Sequence, residues 1–404
     1  MLETSFSPSA RITTLQDALV YRQEKGSNPN CIRAGISHPN LPQWAHQWRG
    51  MGVNKAVRTL EIATDTGHLK EQKSPKKKLK GNFLYGGPLI IPFGHFLAES
   101  IHRCWAYEYI TKTQKTGIDA VILQPGIQNR RWFHNRTYRS LPPYIRDTFN
   151  YLGIPEKKIL LQYKNVIVEN LAVPEQASYF RPIEPIKAPY LDFLSRCEKN
   201  SNVQTDENLP KKLYVSRQAF RYRGAFAGEA YIESFLSNKG YHILRPENHS
   251  LLDQLRFYKS ADTIIFAEGG GIHMLELLGK LAANVYVINR RPLSPKVFKP
   301  ILEDRVEKLS FFSKATTLPS LFLASDGRPA HGSAISVLAP KELNSFFEHI
   351  MESDVSDFDL KLFETQSCED VLSYFNHYQK PNKRFPIQQQ QAIKGFKEAA
   401  HKWL

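Results

Sequence analysis

The chain has 404 residues, 42% of them hydrophobic, with 54 Lys and Arg against 39 Asp and Glu and a formal net charge of +15. That length accommodates two or three domains, and that apolar content excludes a disordered chain. The positive balance favours an anionic substrate, an anionic membrane face or nucleic acid as partner, beyond what a solvated surface needs.

The first 80 residues show little regular period. Thr14–Tyr21 is predicted as a short helix, and Ser27–Gly52, rich in Pro, Asn, His and Trp, as irregular packed loop. Lys70–Lys80 is a basic run around Pro75. It reads as a solvated loop, with contact to a membrane surface or polyanion as the alternative. Residues 1–30 hold no apolar run of the signal-peptide kind, and no stretch reaches the ~18 apolar residues of a membrane span. The nearest, Phe83–Ala98, is interrupted by Gly86, Gly87, Pro88, Pro92, Gly94 and His95. The expected location is therefore the cytosol. Cys31, Cys104, Cys197 and Cys368 are scattered without a CxxC pair, which predicts reduced packing thiols rather than a zinc site or disulfide framework.

Asn82–Pro92 reads as a turn-rich apolar loop, and a helix is predicted from Gly94 over GHFLAESIHRCWAYEYI. Phe96, Leu97, Ile101, Trp105 and Tyr109 line its buried side. His95, Glu99, His102 and Arg103 form a polar stripe, facing water or, at the first turn, a cleft. A strand at Ala120–Leu123, a helix at Tyr144–Leu152 and strands at Ile159–Tyr163 and Asn165–Val168 complete an irregular α/β unit. Within it Asn129–Arg139 interleaves basic and aromatic residues, a pattern that alone suits nucleic acid. The prolines 174, 182, 185 and 189 mark the clearest interdomain linker.

Lys211–Pro292 is the most regular stretch. Strands are predicted at Lys212–Ser216, Tyr241–Leu244, Thr263–Ala267 and Asn284–Asn289. Helices are predicted at Glu229–Leu236 and at Leu251–Tyr258, the latter capped by Asn248 or Ser250. This alternation predicts an α/β fold with a parallel sheet covered on both faces. Ligands of such sheets bind beyond the carboxyl ends of the strands. Ser216–Arg217, Glu268–Gly271 and Asn289–Arg291 fall there. Gly269, Gly270 and Gly271 join a strand to an expected helix, where Ile272, Leu275 and Leu278 recur at helical spacing. Such a turn brings backbone N–H groups close to an anion, although it also serves as a bare connection. Arg217, Arg221 and Arg223 follow a strand end, as phosphate forks or as surface charge. Arginines and glycines at the strand ends of one sheet point to a diphosphate site.

Beyond Pro292 a helix is predicted near Val297–Glu303 and a strand near Lys308–Phe312. Leu318–Pro340 is loop-rich, with short strands at Leu321–Ala324 and Ile335–Leu338. Helices follow at Lys341–Met351, Leu360–Tyr374 and Gln388–Leu404. The chain contains no GxxxxGK[ST], GxSxG or HExxH, and the triple glycine departs from GxGxxG at Met274. Asp357–Phe358–Asp359 is formally a DxD but follows no strand, and is expected to be solvated loop. No metal site or cofactor is therefore expected, and Arg with backbone N–H groups should neutralise the leaving group.

The blocks GHFLAES, VSRQAFR and EGGGIHMLELL, in this order, resemble the family 61 glycosyltransferases and their bacterial capsular-polysaccharide relatives. The resemblance covers roughly 86–292. It implies a GT-B-like α/β fold, two Rossmann-like domains facing across a cleft, and inverting, metal-independent transfer from a nucleotide-sugar. By the same resemblance Arg217 and Arg221 match phosphate-contacting arginines, Gly269 and Gly271 match the glycine turn, and His95 and Glu99 match a polar pair in the first domain. The chain departs from the pattern at Gly270, His273 and Met274, where many members read GAGLTN, and at Glu268, often His.

On this reading residues 1–80 pack on an acceptor-side domain at 81–173. A linker region at 174–210 leads to a nucleotide-sugar-binding domain at 211–345, and 346–404 form a helical extension. His95, oriented by Glu99, is the expected general base, and Glu268 is the competing one. His273 is expected at the donor phosphate or sugar. Glu276, eight residues from Glu268 as in paired carboxylates of some retaining GT-B enzymes, is expected at the ribose or exposed on a helix. The expected partners are a nucleotide-sugar, a glycan or lipid-linked acceptor of surface polysaccharide synthesis, and peripherally an anionic membrane, with no nucleic acid. The alternatives are a nucleic-acid-binding protein and an inactive transferase-like assembly partner.

Overall fold

The computed structural model describes residues 11–25, 32–45, 77–113, 117–126, 137–179, 186–351 and 354–404. They divide into two units. Most of Lys70–Lys80 and Asn129–Arg139, and the prolines 182 and 185, lie outside the described residues.

The first unit takes the described residues up to Val203 together with His273–Lys280 and Pro300–Arg305. Its strands are β1 (Ile12–Lys25), β2 (Ile32–Ser37), β3 (Lys78–Leu89), β4 (Ala120–Pro125), β5 (Ile159–Leu161) and β6 (Val166–Pro174), in the order β2-β1-β6-β3-β4-β5. β3 runs parallel to β4 and β6, β5 is parallel to β4, and β1 is antiparallel to β6 and β2. Helices α1 (Phe93–Glu99), α2 (Trp105–Thr113), α3 (Pro143–Tyr151) and α4 (Ala188–Asn200) accompany the sheet.

Three expectations fail here for physical reasons. Thr14–Tyr21 is strand, not helix: Leu15, Ala18 and Val20 enter the core opposite Leu171, Val168 and Val166. A positive φ of 53° at Asp17 interrupts the alternation between them. Asn82–Leu89 is central strand, not loop. A Cβ on Gly86 would lie 2.7 Å from Leu123 Cδ2, so this glycine permits close strand packing and does not mark a turn. Finally, the helix predicted from Gly94 breaks between Glu99 and Trp105, and Glu99, His102 and Arg103 are buried rather than solvated.

The second unit holds the remaining residues from Gln204 onward. Strands β7 (Lys212–Val215), β8 (His242–Leu244), β9 (Thr263–Ala267), β10 (Leu281–Ile288) and β11 (Val306–Phe312) form one all-parallel sheet, in the order β11-β10-β9-β7-β8. A hairpin, β12 (Ala315–Thr317) and β13 (Ser336–Leu338), stands apart. The helices are α5 (Glu229–Asn238), α6 (Leu251–Ser260), α7 (Pro295–Leu302), α8 (Pro340–Ile350), α9 (Leu360–His377) and α10 (Pro386–Ala400). Ser250 caps α6 by accepting from Asp253 N at 3.2 Å. The segment after the glycine turn, Gly270–Leu277, is a 3₁₀ helix rather than the expected α-helix.

The core of the second unit joins Tyr214, Ile265 and Tyr286 of the sheet to Ile232 and Phe235 of α5, Phe347 of α8 and Phe363 of α9. A second cluster buries Val371, Tyr374 and Phe375 of α9 against Phe396 and Ala400 of α10. The closing helices are thus part of this unit's packing. A cavity of about 690 Å³ opens beside the β12–β13 hairpin, where Lys314, Glu342, Glu364, Cys368 and Trp403 line it. Cys104 and Cys197 are buried, Cys368 is half-buried, and Cys31 lies outside the described residues. No helix among the described residues is long and apolar enough to cross a membrane.

Candidate active site

In the second sheet β7 and β9 are neighbours. From β7 the chain continues to β8 on one side, and from β9 it continues through β10 to β11 on the other. Open parallel sheets bind ligands beyond the carboxyl ends of the strands beside such a reversal of strand order, here β7 and β9. Arg217 and Gly269 stand at those two ends.

Arg217 Nε donates to Gly224 O at 2.6 Å and Nη2 donates to Arg223 O at 3.0 Å, so the guanidinium closes the loop that follows β7. Its Nη1 lies against the glycine turn: a Cβ on Gly269 would be 2.4 Å away. Only glycine lets the guanidinium rest on the backbone there. Beside Gly271 an added Cβ would meet nothing within 4 Å, so the turn faces open space. Burial lowers the Arg217 pKa, with Glu229 and Glu268 opposing that shift and Arg291 adding to it. Arg221 is exposed, its guanidinium 4.8 Å above its neighbour Tyr222, and is not drawn into this arrangement.

Glu268 is fully buried. Its Oε2 accepts from Arg290 N and Arg291 N, each at 2.9 Å, and Oε1 accepts from Arg291 Nε at 2.7 Å. Arg291 Nη2 is 2.5 Å from the same oxygen. Burial alone would raise this carboxyl, but the guanidinium groups of Arg290 and Arg291 outweigh it and hold it below the usual range. A carboxylate so stabilised is a weak proton acceptor. Its geometry is that of an anchor.

Glu229 begins α5 and is 1% exposed. Its Oε1 accepts from Arg217 N at 2.6 Å and from Tyr214 OH at 3.2 Å. Among the described residues Oε2 has no hydrogen-bond partner. Burial pushes this carboxyl up to about 8. Sequence reasoning missed Glu229 because it lies on the buried side of a helix, where a carboxylate is unexpected. It placed Arg290 and Arg291 only as a strand end. Their signal is the pair of arginines directly after the apolar run of β10.

The first unit brings His95 and Glu99 together. β3 lies between β6 and β4, another reversal of strand order, and α1 follows β3. His95 and Glu99 lie one turn apart on α1, with His95 Nδ1 2.6 Å from Glu99 Oε1. The imidazole is 41% exposed and the carboxylate 2%. A buried carboxylate on Nδ1 orients the ring, as a carboxylate does beside a histidine general base.

His273 and Glu276 also pair in this unit, Nδ1 to Oε1 at 2.5 Å. Glu276 is fully buried, not exposed on a helix. Its other oxygen faces His102 Nε2 at 3.4 Å, and His102 Nδ1 is 3.1 Å from Tyr190 OH. Burial would raise the Glu276 carboxyl, but the imidazoles of His102 and His273 beside it hold it down to about 2. Nearby, Arg305 donates to Leu278 O and Gly279 N donates to Glu198 at 2.6 Å. The sequence could not reveal the His102 contact, because its partners lie far apart in the chain.

Asp357 pairs with Lys239 at 2.6 Å, and Asp359 caps α9 by accepting from Leu362 N at 2.9 Å. The DxD carboxylates therefore have structural partners. Among the described residues no group of three or more His, Cys, Asp or Glu is arranged to hold a metal ion.

Residues 93–278 match the family model described as Glycosyltransferase 61. The span takes in His95, Glu99, Arg217, Arg221, the glycine turn, His273 and Glu276, and ends before Arg290 and Arg291. No curated protein matches the chain. The family match supports a glycosyltransferase, an enzyme that passes a sugar from a donor to an acceptor.

Proposed function

We propose that this glycosyltransferase is an inverting, metal-independent enzyme of the GT-B kind, taking a nucleotide-sugar as donor and a glycan or lipid-linked acceptor of surface polysaccharide synthesis. The observation that carries the donor reading is the Arg217 guanidinium resting on Gly269 at the strand-order reversal of a parallel sheet. A diphosphate there meets fixed positive charge and bare backbone, which stabilise a leaving group without reorganising. In the transfer the acceptor hydroxyl oxygen forms the new bond to the anomeric carbon. The bond from that carbon to the diphosphate oxygen breaks, and the electron pair leaves with the diphosphate. The hydroxyl proton passes to a general base, the role we assign to His95 with Glu99 beside it.

The excess of basic residues suits an anionic donor and work at the cytosolic face of a membrane. The nucleic-acid reading explains that charge but gives no role to the paired arginine and glycine.

The test is a melting-temperature screen of the full chain with nucleoside diphosphates, followed by donor turnover in the presence and absence of EDTA. At least one nucleotide should stabilise the protein, Arg217→Ala should lose most of that shift, and EDTA should leave turnover intact. His95→Ala should keep the nucleotide shift and lose turnover by about 10²–10⁴-fold. No nucleotide response, together with duplex or single-strand binding that falls steeply with salt, would sink the proposal.

A further inference from the structure

The end of β9 receives a guanidinium from each neighbouring strand. From β7, Arg217 lies on Gly269. From β10, Arg291 is held by Glu268 through Nε at 2.7 Å and Nη2 at 2.5 Å. We propose that Arg291, positioned by Glu268, is the second arm of the clamp that holds the donor diphosphate. This rests on the donor reading above and adds a binding residue and a positioning residue to it.

Charge and exposure favour Arg291 over its neighbour. Arg290 is 4% exposed and serves as scaffold. Its Nη1 donates to Gly332 O at 3.0 Å, and its carbonyl accepts from the hydroxyls of Thr317 at 2.9 Å and Ser336 at 2.6 Å. Arg291 has a side chain 39% exposed, and Glu268 fixes it along one edge. A guanidinium pinned in this way offers its remaining N–H groups in a set direction, ready for phosphate oxygens.

Arg217, Arg290 and Arg291 also lie within electrostatic reach of one another. Among the described residues Glu268 is the carboxylate hydrogen-bonded to Arg290 and Arg291, and Glu229 accepts from Arg217 N. Three guanidinium groups thus outnumber the carboxyl groups set against them. Clustered like charges repel, and the cost falls when an anion joins them. A nucleotide-sugar carries one negative charge on each of its two phosphates, which offsets that positive charge.

The experiment uses the full chain and whichever nucleoside diphosphate stabilises the wild type, alongside the corresponding nucleoside. Arg291→Ala should weaken diphosphate binding about tenfold or more, leave nucleoside binding unchanged, and raise donor KM more than it lowers kcat. Glu268→Ala should reproduce that loss, and Glu268→Gln, which keeps an acceptor oxygen for Arg291, should recover part of it. Where Arg291→Ala does not fold, Arg291→Lys carries the comparison, since lysine keeps the charge but loses the fixed edge. Diphosphate affinity unchanged in the Arg291 variants, or lost equally for nucleoside and diphosphate, overturns the proposal. A wild type that binds no nucleoside diphosphate overturns the donor reading itself, and the clamp with it.

Discussion

At the scale of single side chains, Glu229 holds a proton that the unfolded chain releases. Its folded pKa of about 8 lies above the ordinary 4.5. Its contribution to stability is therefore fully present below about 4.5 and is lost as pH rises through about 8. Glu229→Gln should unfold like wild type near pH 5 and be more stable at pH 9, by on the order of 3 kcal/mol, as read from urea melts. Glu276 has the opposite sign. Its pKa is held down to about 2, so its contribution is present above about 4.5 and fades as pH falls toward 2. Glu276→Gln leaves His102 and His273 facing a neutral amide. It should cost roughly 3 kcal/mol at pH 7, with the gap to wild type closing in acid.

At the scale of elements, the turn between β9 and the 3₁₀ helix Gly270–Leu277 separates two kinds of glycine. Gly269→Ala puts a methyl where Arg217 lies, so the guanidinium must move and nucleotide affinity should drop about tenfold. Gly271→Ala meets open space, so its melting temperature should stay within about 2 °C of wild type. Any loss of nucleotide affinity in that variant would place the ligand against Gly271. Calorimetric titration and a melt on the two proteins distinguish these outcomes.

How far the elements could be read in advance follows from where their information lies. β7, β9 and β10 are buried on both faces and read as apolar runs, and Ser250 announces α6 through its own hydroxyl. The positions of Arg217 and the glycine turn followed from those strands. β1 was not legible: its Leu15, Ala18 and Leu19 mimic a helical face, and only pairing with β6 and β2 makes it a strand. In β3 the signal of Gly86 and Gly87 for a turn was outweighed by the need for close approach to β4. Glu229 and the His102–Glu276 contact were hidden for a third reason. Burial and long-range pairing leave no local pattern.

At the scale of the whole molecule, the first unit is not one continuous stretch of chain. His273–Lys280 belongs to it, although that segment follows β9 of the second. It supplies Leu277 O to the Tyr151 hydroxyl at 2.9 Å, Gly279 N to Glu198 and Glu276 to His102. Fragment 1–203 on its own would bury those groups without their partners. It should therefore show no cooperative urea transition, whereas the full chain should show one. A fragment that unfolds cooperatively would mean that the segment contributes little to the unit.

The thiols give the molecule a practical handle. Burial pushes the Cys104 thiol well above its ordinary range and the Cys197 thiol up to about 12, so neither offers a thiolate at neutral pH. Cys368 stands in the wall of the cavity beside the β12–β13 hairpin. Of these three, a maleimide fluorophore or spin probe should couple at Cys368, reporting on the second unit from a fixed point without an engineered attachment residue.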